Sequence, residues 1–148
     1  MANMANMAPT LAVVRVRGSG STPGKIEDTL VMLNLSRKNY GTVISDTPVH
    51  RGMINKVKDF VTWGEIDDST LKELIAQRGQ PYLGRLTDTK GKYHYKTLEL
   101  QGKNYKRYFT LNPPRKGFGR KGIKIAFSAG GALGYRAEKI NDLLKRMI

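Results

Sequence analysis

Apolar and polar positions along the first half of the chain switch repeatedly between the period of a strand and that of a helix. Residues 11–17 (Leu-Ala-Val-Val-Arg-Val-Arg) start apolar and end in strict alternation, which predicts a strand. Ile26, Leu30 and Leu33 then recur at helical spacing, with Glu27 and Asp28 well placed for the positive end of a helix dipole. Asn39-Tyr40-Gly41 reads as a turn and residues 42–45 as a short buried strand. Thr47 followed by Pro48 is a helix-start signal, because a hydroxyl caps an orphan N–H and proline at the first position gives up a donor the helix does not use. Met53, Ile54 and Val57 mark the inner side of that helix. Residues 59–65 predict a third strand with Val61 and Trp63 on one face, which assigns Trp63 to the core. The order strand, helix, strand, helix, strand is a two-layer α+β plan that can close around one small core.

The second half is less regular. Asp67, Asp68, Ser69 and Thr70 offer caps for a third helix whose apolar side is Leu71, Leu74 and Ile75, and Gly79 ends it. Residues 80–104 are polar, rich in Gly, Lys and Tyr and weakly periodic, with 92–96 as one possible hairpin strand. Residues 105–111 read as extended, 115–124 as a basic loop punctuated by glycine, and 123–127 as a returning strand. Gly130, Gly131 and Gly134 lead into a last helix with Ile140, Leu143, Leu144 and Met147 on one side. The expected organisation is a disordered N-terminus over 1–10, a core over 11–66, and a basic C-terminal α/β extension over 67–148 packed on that core.

Charge changes the picture. The 148 residues carry a net charge of +14, yet residues 1–84 hold ten Lys and Arg against eight Asp and Glu, while 85–148 hold sixteen against four. Nearly all the excess therefore sits in the extension, which points to nucleic acid or another polyanion as partner. Between 103 and 124 stand Lys103, Lys106, Arg107, Arg115, Lys116, Arg120, Lys121 and Lys124 without an acid, interleaved with Tyr105, Tyr108, Phe109 and Phe118. Cations neutralise phosphates and aromatic rings stack on unpaired bases, although Tyr108 and Phe109 are expected in the sheet rather than on bases. A solvated basic loop and an acidic protein partner are the alternatives. The start, with three methionines in its first seven residues, resembles neither a signal peptide nor a membrane span, and the absence of cysteine removes disulfides and thiol chemistry.

Arg51 falls in the opening turn of the Thr47 helix, where a cation opposes the dipole, so an anion in front of that helix is expected. Gly52 costs roughly 1 kcal/mol relative to alanine inside a helix and suggests a surface that something approaches closely. The turn from Gly18 to Lys25 lacks the glycine spacing of a P-loop and has isoleucine at position 26 where a hydroxyl is needed, so nucleotide hydrolysis is rejected; contact with an RNA phosphate and a plain flexible turn both remain. Gly130, Gly131 and Gly134 allow an anion cradle at a helix start or tight packing of that helix. His50 and His94 are the only histidines and form no zinc spacing, and Asp67-Asp68 fits helix capping better than acid–base work. No catalytic set emerges, and neither a cofactor nor a metal is expected.

Asp46-Thr-Pro-Val-His-Arg-Gly-Met-Ile, Lys56-Val-Lys-Asp-Phe-Val-Thr-Trp-Gly-Glu-Ile-Asp, Asn112-Pro-Pro-Arg-Lys-Gly-Phe and Gly130-Gly-Ala-Leu-Gly-Tyr-Arg-Ala-Glu-Lys-Ile-Asn-Asp-Leu-Leu together resemble the L-thirty family of large-subunit ribosomal proteins in its longer archaeal form. The likeness spans most of residues 11–148 and keeps the order of the blocks, while 80–104 match nothing. The resemblance implies a βαβαβ core, a three-stranded sheet with helices on one face, and an rRNA-binding structural component of the cytoplasmic large subunit without catalysis. It implies large-subunit rRNA and neighbouring ribosomal proteins as partners, with no membrane and no small-molecule substrate. By that carry-over the turn from Thr47 to Gly52 and residues 112–124 face RNA. The full expected contact set is Arg15, Arg17, Arg37, Lys38, Thr47, His50, Arg51, Gly52, Lys56, Lys106, Arg107, Arg115, Lys116, Arg120, Lys121, Lys124 and Arg136. A free RNA- or DNA-binding regulator is the rival binding reading, and an RNA-modifying enzyme or a protein-only scaffold are the others.

Overall fold

The first strand organises the molecule. In the computed structural model, which describes residues 10–18, 20, 22–93, 98–100 (backbone) and 103–148, β1 (Thr10–Arg15) lies at the centre of a five-stranded sheet. It pairs antiparallel with β2 (Tyr40–Ser45) on one side and β3 (Val61–Glu65) on the other, with Val13 opposite both Thr42 and Trp63. Side chains alternate across a strand, so Leu11 and Val13 face one way and Ala12 and Val14 the other. Both faces are covered, which is why β1 opens as an unbroken apolar run rather than an alternating one.

On the Leu11/Val13 face lie α1 (Gly24–Met32) and α2 (Pro48–Lys56), and Leu30, Leu33, Leu35, Ile54, Val57 and Val61 close that core. The three-stranded core with helices on one face is thus present as the resemblance implied. The extension adds what the first 66 residues lack. α3 (Asp68–Arg78) and α4 (Ile140–Met147) cover the opposite face, where Leu71, Leu74, Ile140, Leu143, Leu144 and Met147 pack on Ala12, Val14 and Val43. The extension also supplies both sheet edges: β6 (Tyr108–Thr110) pairs antiparallel with β2, and β7 (Gly134–Tyr135) pairs parallel with β3. Phe109 is fully buried and Tyr108 stacks on Tyr40 with ring centroids 5.1 Å apart, so both serve the sheet. β4 (Leu98–Leu100) and β5 (Lys103–Tyr105) form a separate two-stranded ribbon.

Several expectations are corrected. Residues 123–127 do not return as a strand: only an isolated bridge joins Ala126 to Leu133, and a single 3-10 turn follows at Phe127–Ala129. The reason is the glycine pair behind it. A Cβ on Gly131 would stand 2.1 Å from the Ile125 carbonyl oxygen, so this backbone doubles back on itself instead of running along a sheet. Nor do these glycines open a helix; β7 and a 3-10 turn at Ala137–Lys139 intervene before α4 begins at Ile140. Close packing accounts for Gly131, while Gly130 (φ 94°) and Gly134 (φ 90°) hold left-handed conformations. Gly79 does end α3, in an extended rather than a left-handed conformation, and a Cβ there would crowd the Ile75 carbonyl oxygen that accepts from its N–H. Asp67 precedes α3 without a side-chain cap, and its backbone N–H donates instead to Asn141 Oδ1 at 2.9 Å. Trp63 packs against the α1/α2 core but is only half-buried. Thr10 is already strand, whereas residues 1–9, His94 and most of the 92–96 strand lie outside the described residues; the backbone N–H groups of Lys92 and Tyr93 donate to Asp88 Oδ1 across a turn at 89–90.

Candidate nucleic-acid interface

The start of α2 is built as its sequence suggests. The Thr47 hydroxyl accepts from the His50 backbone N–H at 3.2 Å and Pro48 takes the first helical position. His50 Nδ1 donates to the Ser45 carbonyl oxygen at 2.8 Å, which fixes the proton on that nitrogen. The anion expected before the helix is present, and it belongs to the chain: Asp46 accepts from Nε of Arg51, and from Nη2 at 2.7 Å, while Nη1 has no partner among the described residues. The Arg51 hydrogen bond holds the Asp46 carboxyl below its ordinary range, and Asp46 in turn raises the guanidinium. Both groups remain in contact with water, Arg51 with just over half its side chain exposed (53%). Gly52 is exposed and helical, and a Cβ there would meet nothing within 4 Å. No internal contact therefore accounts for a glycine at this position.

Two predicted contact residues belong to the interior instead. Arg15 continues the Leu11/Val13 face of β1 and is fully buried beneath α1. It donates to Glu27 at 3.1 and 3.2 Å, to the Leu35 carbonyl at 2.8 Å and to the Arg17 carbonyl at 2.8 Å, leaving no route to a phosphate without dismantling the fold. Arg136 is 4% exposed; its Nε donates to Thr62 Oγ1 and its Nη2 to the carbonyls of Phe118 and Ala132. All three are neutral oxygens. Burial, and then the nearby Arg146, push its pKa down to about 10, against a smaller opposing pull from Asp142. Arg136 thus contributes positive charge from a buried position behind the pocket rather than an exposed guanidinium.

That charge lines a pocket of about 480 Å³ whose walls are Lys116, Gly117, Phe118, Gly119, Arg120, Phe127, Arg136, Lys139, Asp142 and Arg146. Its one carboxylate, Asp142, is engaged by Arg146 Nε at 3.2 Å, and Arg146 also clamps the loop through the carbonyls of Arg115 and Gly117. Lys139 and Arg136 sit over the Phe127 ring at 5.6 and 4.6 Å. Lys116 holds a left-handed backbone (φ 65°), a conformation that glycine adopts more easily, so a lysine is kept there at some conformational cost. Arg115, Lys116, Arg120, Lys121 and Lys124 are all exposed. The loop thus concentrates exposed cations around backbone turns, and the pocket's one acid is already paired.

Comparison with known proteins places the chain in a family. The model of the family described as ribosomal protein L30p/L7e matches residues 11–61. Over 151 aligned residues the chain is 47% identical to the large ribosomal subunit protein uL30 of Methanococcus maripaludis, covering 93% of this chain and 98% of the relative. It is 46% identical to that of Nanoarchaeum equitans, over 93% and 97% of the two chains, and 42% identical to that of Methanopyrus kandleri, over 90% and 100%. The chain belongs to the uL30 family.

The remaining predicted residues of this family member are dispersed. Arg37 and Lys38 are exposed at the turn before β2, and Lys56 is exposed at the end of α2. Arg17 lies over the Phe60 ring at 4.9 Å, Lys106 lies beside Tyr108 at 5.9 Å, and Arg107 is exposed before β6. Sequence reasoning missed Lys139 and Arg146, which read as ordinary charges on the last helical segment; only the fold turns them toward the loop at 116–120. Among the described residues, no His, Asp and Glu side chains group as a metal site would need, and no helix is long and apolar enough to cross a membrane.

Proposed function

We propose that the chain is a structural constituent of the large ribosomal subunit that binds and stabilises rRNA, alongside neighbouring subunit proteins, in the cytoplasm. The observation that carries the contact surface is the pocket and loop of residues 115–124, where exposed cations surround a buried, unneutralised Arg136 and the one acid is already engaged. Folded rRNA brings phosphates together, and a rigid cationic loop lowers their repulsion while releasing counterions. Lysines act there as point charges, and Arg115 and Arg120 can grip a phosphate through two donors. Arg37, Lys38, Lys56 and Arg107 are exposed elsewhere on the molecule as further candidate contacts, and Arg136 supports the pocket from within. The role is one of shape and charge recognition and needs no bond-making step.

Salt dependence tests the reading. A set of ~6–10 phosphate contacts makes affinity fall by roughly 10³–10⁵ between ~50 and ~200 mM salt. Replacing Lys116, Arg120, Lys121 and Lys124 together by alanine should lower the slope of log K against log salt by about 3, measured on an rRNA fragment that the parent protein binds. An unchanged slope in the folded variant would remove this loop from the interface.

A further inference from the structure

A second concavity lies on the other face of the same sheet edge. Strand alternation sends Thr62 toward Arg136 and the cationic pocket, and Trp63 the opposite way, where it meets α2. There Arg51, Gly52, Ile54, Asn55 and Trp63 line a slot of about 390 Å³. Trp63 is the chain's single tryptophan and is half-buried, with the Tyr135 ring 6.2 Å from it across the β3–β7 pair. Arg51 is held in place by Asp46, and its Nη1 has no partner among the described residues. Asn55 is exposed, and its amide has no hydrogen-bond partner among the described residues. Gly52 leaves open space where any other residue would place a Cβ.

Resting on the RNA-binding reading above, we propose that this slot receives one unpaired base of a single-stranded RNA segment, stacked on Trp63 and bonded at its edge by Asn55. The chemistry of each wall favours that occupant. An indole offers a flat π-face to any base, an unpartnered amide offers one donor group and one acceptor suited to a base edge, and a guanidinium can hold the adjoining phosphate. Lys56 and Lys58, which follow Asn55 closely in the chain, are both exposed and carry further counter-charge. The helix gives up about 1 kcal/mol by carrying glycine at position 52, and close approach of a planar ligand to its backbone accounts for that choice.

The single tryptophan makes the test direct. The full chain is titrated with short single-stranded oligoadenylate and, separately, with polyphosphate, a polyanion without bases, while Trp63 emission and binding are both followed. Oligoadenylate should quench Trp63 and polyphosphate should not. Gly52→Leu fills the slot from an exposed helical position and leaves folding intact. It should abolish the quenching and weaken oligoadenylate roughly 5- to 150-fold, the range that stacking of one base supplies, with polyphosphate affinity unchanged; Asn55→Leu should weaken oligoadenylate in the same direction. Equal quenching by polyphosphate, or quenching that survives Gly52→Leu, overturns the slot. Salt-dependent RNA binding with unchanged Trp63 emission also overturns it while leaving the rRNA reading intact, whereas absence of all RNA binding overturns both.

Discussion

Replacing Arg15 by methionine separates a cation that builds the fold from one that meets RNA. Methionine keeps part of the apolar stem and removes the guanidinium, which makes two bonds to Glu27, one to the Leu35 carbonyl and one to the Arg17 carbonyl. Removing one member of a buried ion pair costs about 3–5 kcal/mol. Here the Glu27 side chain is 30% exposed and can rehydrate, which lowers the cost. The Leu35 carbonyl, on a fully buried residue, cannot do so easily, and an unsatisfied acceptor costs about 1–3 kcal/mol. The expected loss is about 2–4 kcal/mol, a fall in Tm of roughly 5–15 °C for a chain of this size. Urea unfolding gives the first quantity and calorimetry the second. The folded variant should bind RNA with the parent's salt slope. Parent-like stability, or a slope reduced by the ~0.7–0.9 expected for one lost phosphate contact, would refute the assignment of Arg15 to the interior.

Other outcomes follow from the same geometry. Gly64→Ala should destabilise by about 1–3 kcal/mol or more, because its Cβ would meet the Ala137 carbonyl oxygen at 2.0 Å and the Ile140 side chain at 2.9 Å; Gly52→Ala, in open space, should instead stabilise by up to about 1 kcal/mol, and thermal denaturation compares the two. Asp46 has a depressed folded pKa, so its pairing with Arg51 is in force above the ordinary carboxylate range and is lost as pH falls through the folded value. In Arg51→Ala the Asp46 carboxyl should titrate higher than in the parent, as followed by carbon NMR. Arg136, pushed down to about 10, is charged at a penalty below that pH. The stability of the parent relative to Arg136→Met should therefore rise as pH climbs from about 10 toward the ordinary arginine range; a fall would contradict the burial account.

The βαβαβ half was legible because each element carries its own signal: Thr47-Pro48 for a helix start, and an apolar run for a strand covered on both faces. The edges of the sheet were not. β7 is two residues long, and it is defined by its neighbours, since Thr62 and Trp63 set its register and Gly64 lets the start of α4 rest on the sheet. Local composition cannot express such a dependence. The turn at Gly130-Gly131 left two readings open for a related reason, because glycine required by close packing, as at Gly131, looks the same in sequence as glycine that opens an anion site. Charge was legible in amount but not in direction. Arg15 and Arg120 are both arginines of a basic chain, and only the parity of β1 beneath α1 shows that the first points inward. Arg51 raised a valid physical question, an unanswered dipole, to which Asp46 five residues earlier was the answer.

Membership of the large subunit is tested most directly by sedimentation of particles from cells that express this chain. Large subunits washed in high salt and run through a gradient should carry the chain in fixed proportion to their rRNA, and crosslinking should map it to RNA through the 115–124 loop. Recovery of the chain only in the ribosome-free fraction, with intact large subunits that lack it, would contradict the account.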